Sequence, residues 1–203
     1  MKLTYGVGYN SKGDYPVIVA GTGRKTRSYQ TWNNMLRRCY CPASLIIRPT
    51  YKGVTVCDSW LDFQNFAKWY ENQDFNDIGY CLDKDILQIN SKIYSPDNSC
   101  LIPQEINKLM NGYKAGRGKL KIGVFQRKPT SKYLASISID GSKKHIGYYV
   151  TEEEAHRAFL HAKTDNIIRV ANRWKGKIDN SVYLTLINWD FNQRLVEEKW
   201  GLV

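Results

Sequence analysis

The sequence lacks most of the features that mark secreted or membrane-built chains. No apolar run approaches the roughly 18 residues that span a bilayer. The opening Met1-Lys2-Leu3-Thr4-Tyr5 has no apolar signal-peptide core. The five cysteines are odd in number and unpatterned, which excludes a secreted disulfide framework. These absences predict a protein of the reducing cytoplasm with no membrane partner. Histidine is scarce: three residues, none of them within 1–110. Acidic residues are in deficit, 19 against 30 Lys and Arg, for a net charge of +11. What is present is enough for a core: 203 residues, 42% hydrophobic and 13% aromatic, which excludes disorder for most of the chain. A chain this basic points to a polyanion, nucleic acid first.

The excess charge is concentrated. Residues 111–177 hold 15 Lys and Arg against 5 Asp and Glu, whereas 1–110 hold 13 against 10 and 178–203 hold 2 against 4. The run Asn111 to Lys119 is rich in Gly and Lys with no apolar period, and reads as a basic linker over 111–120. The rest of the block, 121–177, reads as strands and one helix. Lys121–Phe125 and Lys132–Ile139 are strand candidates, the second with clean alternation. Asp140-Gly141 signals a hairpin into a third strand, Lys143–Tyr149. Thr151 followed by Glu154 fits a capping box for a helix carrying Ala155, Ala158, Phe159 and Ala162. His156 and His161 are expected to be exposed on that helix. The implied unit is a three-stranded antiparallel sheet packed on one helix. Its outer face carries small polar and cationic side chains that can enter a major groove.

Gly123-Val124, Tyr133-x-Ala135-x-Ile137, Gly147-Tyr148-Tyr149 and Thr151 with Glu153-Glu154-Ala155 resemble the Apetala-type, or ethylene-response-factor-type, DNA-binding domain over about 118–175. That resemblance implies double-stranded DNA as partner, read by the sheet. It carries the contacts to Phe125, Arg127, Lys128, Lys132, Ser136, Ser138, Lys143 and His145.

The first half is denser in aromatics. Tyr5–Tyr9 and Pro16–Val19 read as short strands, Thr31–Cys39 as a helix with Trp32, Met35 and Leu36 inward, and Trp60–Tyr70 as a stronger helix with Trp60, Phe63, Phe66 and Ala67 in the core. Leu82-Asp83-Lys84-Asp85-Ile86 is a short acidic strand, followed by Asn90, Tyr94-Ser95-Pro96, Asn98, Cys100 and a helix start around Pro103 to Asn107. This is the layout of a ββα-metal site, in which a strand-end carboxylate and a helix side chain grip a divalent cation. Hard oxygen ligands such as Asp83 and Asn107 suit Mg²⁺ or Mn²⁺. The same residues also read as a capped turn around a buried Asp83–Lys84–Asp85 charge cluster.

This run resembles the phage HNH homing endonucleases with an Asp-Lys-Asp motif. So do Trp32-x-x-Met35-x-x-Arg38-Cys39-Tyr40 and Tyr51-Lys52-Gly53-Val54-x-Val56-Cys57-Asp58-x-Trp60 upstream. The resemblance implies an HNH-like nuclease domain over 1–110. Catalytic residues would be Asp83, Lys84, Asp85, Asn98 and Asn107, with Asp83 and Asn107 as metal ligands and Asp85 an alternative ligand. Asn98 would pin the loop, and Lys84 takes the position of the usual His base. A lysine starts near pKa 10.4. Either metal-bound water then supplies the nucleophile, or Lys84 serves as an electrostatic stabiliser.

Cys39, Cys41, Cys57 and Cys100 are the thiols available for a structural Zn²⁺, but their spacing contains no Cys-x-x-Cys knuckle, and buried free thiols are the better reading. Residues 178–203 form a helical extension whose apolar side chains, Val182 to Trp200, either pack back on the protein or meet a second copy in a homodimer. The whole predicts an α+β, sequence-directed, metal-dependent DNA endonuclease. The rival is a degenerate HNH scaffold that acts as a DNA-binding regulator.

Overall fold

A computed structural model describes residues 3–76, 79–88, 91–111, 120–127 and 131–189. The chain is mixed α+β and divides into two compact units, 1–104 with 177–179 and 105–176 with 180–203.

In the first unit, Thr26 caps helix α1 (Arg27–Tyr40) by accepting the Tyr29 N–H. A short helix α2 (Pro42–Ile47) follows, then a single 3₁₀ turn at Pro49–Tyr51 and strand β1 (Thr55–Val56). The aromatic run expected as one helix is two: α3 (Asp58–Leu61) and α4 (Phe63–Glu71). The break is at Asp62, whose Oδ1 accepts the N–H of Gln64 at 3.1 Å and of Ser11 at 3.1 Å. An aspartate that can cap a new helix and tie down the N-terminal segment outcompetes helix continuation.

The expected core holds. Trp32, Met35, Leu36, Trp60, Phe63, Phe66 and Ala67 are all buried, and the Trp32 indole N–H donates to the Trp60 carbonyl at 2.7 Å. The N-terminal strands do not form. Tyr5 and Gly6 both take positive φ in a turn, and Ile18 makes only an isolated bridge to Lys25. Tight turns on both sides leave too few residues for a ladder.

Strand β2 (Tyr80–Asp83) is followed by β3 (Ile93–Tyr94), which pairs parallel with β1, and by β4 (Cys100–Pro103), which pairs antiparallel with β2 so that Asp83 faces Cys100. Helix α5 (Gln104–Asn111) begins at the next residue.

The second unit contains the sheet β5 (Val124–Arg127), β6 (Lys132–Ile139) and β7 (Ser142–Tyr149), in that order and antiparallel. Asp140 and Gly141 both take positive φ, as a two-residue hairpin turn requires. The capping box forms: Thr151 Oγ1 accepts the Glu154 N–H while Glu154 returns to the Thr151 N–H. Helix α6 runs from Glu152 to Arg173, well past the expected apolar stripe. Its first half lies on the sheet, where Val124, Ala135 and Ala155 form a small core with Tyr133, Ile146 and Tyr149. Gly123 has φ +77°, and a Cβ there would stand 2.1 Å from the Phe159 ring, so glycine lets α6 approach.

His156 corrects an expectation. It is 6% exposed, with Nδ1 2.9 Å from the Ile122 carbonyl, and burial holds its pKa below the usual value. The small residues on this face bring the helix so close that the imidazole fills the interface.

The second half of α6 meets α5: Glu105 pairs with Arg173 and accepts the Trp174 indole N–H at 2.7 Å. Buried Lys163 donates to the Leu109 carbonyl at 2.5 Å. Helix α7 (Asn180–Ile187) buries Val182 and Leu186. The linker residues 112–119 and the C-terminal 190–203 lie outside the described residues. Among the described residues no helix is long and apolar enough to cross a membrane.

Candidate functional site

The acidic motif begins where β2 ends. Asp83 is buried, and its Oδ1 accepts the backbone N–H groups of Asp85 and Ile86, each at 2.8 Å. A carboxylate that collects the next two amides turns the chain out of the strand. Lys84, also buried, places its ammonium 2.8 Å from Asp85 Oδ1 and 2.7 Å from the Ser91 carbonyl. The pair is the arrangement a buried cation needs, a carboxylate plus a further acceptor.

Ser91 is the node that sequence reading missed. Its carbonyl takes Lys84, its hydroxyl donates to the Ile93 carbonyl at 2.9 Å, and the same Oγ accepts Asn98 Nδ2 at 2.8 Å. Asn98 Oδ1 in turn accepts the Ser95 N–H at 3.1 Å and the Ser95 hydroxyl at 3.0 Å. Asn98 therefore ties the two ends of the loop together. No periodicity marks Ser91; only the folded path of the loop reveals it.

The structure thus groups Asp83, Lys84, Asp85 and Asn98 in the first unit. Asn107 stands on α5, in the second. Asn90 lies outside the described residues. Among the described residues, no group of three or more His, Cys, Asp and Glu is placed to hold a metal ion. Asp83 nonetheless has the right donor chemistry for a hard cation. Mg²⁺ is commonly held by one or two carboxylates and completed by water and substrate phosphate.

All five cysteines are free. Burial pushes the Cys39 thiol up to about 11 and the Cys100 thiol well above its ordinary value, so both are held as thiols rather than thiolates.

Beside the motif, the buried Tyr94 ring has Lys84 Nζ at 5.9 Å and the Arg38 guanidinium at 5.7 Å. Arg38 also lies 5.8 Å from the Tyr51 ring.

In the second unit the register decides which side chains share the sheet's outer face. Tyr133 and Ala135 of β6 pack in the helix-side core, so by alternation Ile137 shares their face and Leu134, Ser136 and Ser138 take the other. On β7, Tyr149 and Gly147 pair with Tyr133 and Ala135, but His145 then pairs with Ser136 and Lys143 with Ser138. One residue, Ile146, is extra. An unbroken strand would carry 149, 147, 145 and 143 on one face, so the bulge is what moves His145 and Lys143 to the outer face. Ile146 itself packs into the helix-side core.

Phe125 pairs with Leu134, which puts it on the outer face by the same parity, and Arg127 pairs with Lys132 at the end of the ladder. Phe125 is 48% exposed, and Lys143 Nζ sits 4.2 Å from its ring centroid. Lys132, Ser138 and His145 are exposed, whereas Ser136 is buried. Lys128 lies outside the described residues.

No protein-family model, no curated protein and no solved structure matches the chain.

Proposed function

We propose that this protein is a DNA-directed, metal-dependent phosphodiesterase, an endonuclease of the HNH homing type. The second unit docks on double-stranded DNA, and the Asp83 turn serves the chemistry. The observation that carries the reading is the outer face of the three-stranded sheet. A bulge aligns Lys143 and His145 with Ser138, beside Lys132 and the Phe125–Lys143 stack, on a unit where basic residues are concentrated. A strand ribbon of this width fits a major groove, with cations on phosphates or guanine edges and a small serine letting the backbone approach.

In the first unit Lys84 pairs with Asp85, and Asp83 supplies a carboxylate at the end of β2. Two backbone amides orient that carboxylate. A divalent cation bound there would stabilise charge on the scissile phosphate and its leaving oxygen. Lys84 keeps its ammonium beside the site and Asn98 holds the loop that fixes Lys84.

One observation favours the second reading, a DNA-binding regulator without hydrolysis. Lys84 Nζ donates to Asp85 and Ser91, which ties it into the turn instead of aiming it at a substrate.

Binding to a labelled genomic-fragment library without divalent cation tests the shared part. Lys143→Ala and Arg127→Ala should each flatten the dependence of log K on log salt by about one unit where they contact phosphate. Wild-type protein that retains no DNA at low salt would sink both readings. Cleavage by wild type but not by Asp83→Ala separates them.

A further inference from the structure

We propose that Arg38 is a seat for a DNA backbone phosphate on the first unit, separate from the sheet of the second. This rests on DNA being the partner. The weak overall charge of residues 1–110 conceals a sharp polarity. Residues 15–57 contain seven Lys and Arg and no Asp or Glu, while 58–110 contain four against nine. An uninterrupted basic stretch of that length, within a chain that otherwise mixes signs, is an electrostatic footprint of its own.

Arg38 is where that stretch is organised. It stands in the last turn of α1, half-buried, with its guanidinium facing the rings of Tyr51 and Tyr94 at 5.8 and 5.7 Å. Most basic side chains of the stretch, such as Arg24, Arg48 and Lys52, are exposed. Arg38 is held by two aromatic faces. Among the described residues no carboxylate pairs with it; the nearby acidic motif places Asp85 on Lys84 instead.

Its Nε donates to the Asn34 carbonyl at 3.3 Å, and its guanidinium also hydrogen-bonds the Tyr51 side chain. The first bond is what a cation near a helix C-terminus ordinarily makes, and the two together leave further donors of the five. A planar guanidinium pre-oriented by two tyrosines matches the fork geometry of a phosphate. Lys84, on the same Tyr94 ring, sets the seat beside the acidic motif.

The test is the salt dependence of duplex binding, measured by fluorescence anisotropy on a labelled 30-base-pair duplex in EDTA. Arg38→Ala should weaken binding and reduce the slope of log K against log salt by about one unit. Arg38→Lys should restore the slope but not the full affinity, because an ammonium keeps the charge and loses the stacked fork. If Arg38→Ala melts, Arg38→Gln, which keeps a planar head between the rings without the charge, is read in its place. A folded, uncharged variant with an unchanged slope would overturn the proposal. Because no divalent cation is present, that result would leave the nuclease reading standing, whereas wild type that fails to bind at all would remove the DNA reading itself.

Discussion

Replacing Lys163 with methionine should change how the stability of the second unit depends on pH. Lys163 is 1% exposed on α6, and burial pulls its pKa down to about 7. In the unfolded chain the same amine titrates near 10.4. Below pH 7 both states carry the proton, and the folded state bears the whole cost of a buried ammonium. Between about pH 7 and 10.4 the unfolded state binds more protons than the folded one, so stability rises with pH. One pKa unit corresponds to about 1.4 kcal/mol, so the window spans something of order 4 kcal/mol. Lys163→Met removes this contribution and keeps an unbranched side chain of similar reach. It also gives up the bond to the Leu109 carbonyl.

The assay is urea unfolding of wild type and variant from pH 6 to 9, followed by hydrogen exchange of the α6 amides so that the second unit is read by itself. Groups common to both proteins, His156 among them, cancel in the difference. The variant should be the more stable protein at pH 6, and wild type should gain on it by about 1 kcal/mol per pH unit above 7. Parallel pH profiles would refute the reasoning, because they would mean that the Lys163 amine titrates alike in both states.

Two further perturbations follow from the sheet. Gly123→Ala places a Cβ at 2.1 Å from the Phe159 ring on a residue with φ +77°, and should destabilise the second unit by about 1–3 kcal/mol, read by thermal unfolding. An unchanged melt would mean that α6 does not pack against Gly123. Deleting Ile146 removes the extra residue and leaves His145 opposite Ser136 and Lys143 opposite Ser138 by ordinary alternation. With circular dichroism showing the sheet retained, DNA affinity should stay well above that of Lys143→Ala, and a loss as large as that variant's would contradict the parity argument.

The second unit was the more legible part of the sequence because its signals are local. Alternation over Lys132–Ile139, the Asp140-Gly141 turn and the Thr151–Glu154 box each depend on neighbours a few residues away, and each forms as expected. The features that escaped depend on distant partners. His156 is buried because Gly123 lets the helix close on Ile122, and the bulge at Ile146 shows only in the pairing register. In the first unit, apolar spacing gave the core, but Asp62 divided the aromatic helix by capping against Ser11, fifty-one residues away. The acidic motif shows the same limit. The residue types and a capped, charge-paired turn were readable from Asp83-Lys84-Asp85, while the role of Ser91, which joins Lys84 to Asn98, exists only once the loop is folded.

The central claim is hydrolysis at the Asp83 turn of DNA held by the sheet. Its most direct test is incubation of the full chain with supercoiled DNA carrying a site selected by binding, in Mg²⁺ or Mn²⁺, beside Asp83→Ala. Wild type should nick or linearise the DNA, and Asp83→Ala should bind the same site with unchanged affinity and leave it intact. Tight binding by both proteins with no cleavage by either would contradict the account and leave a DNA-binding regulator.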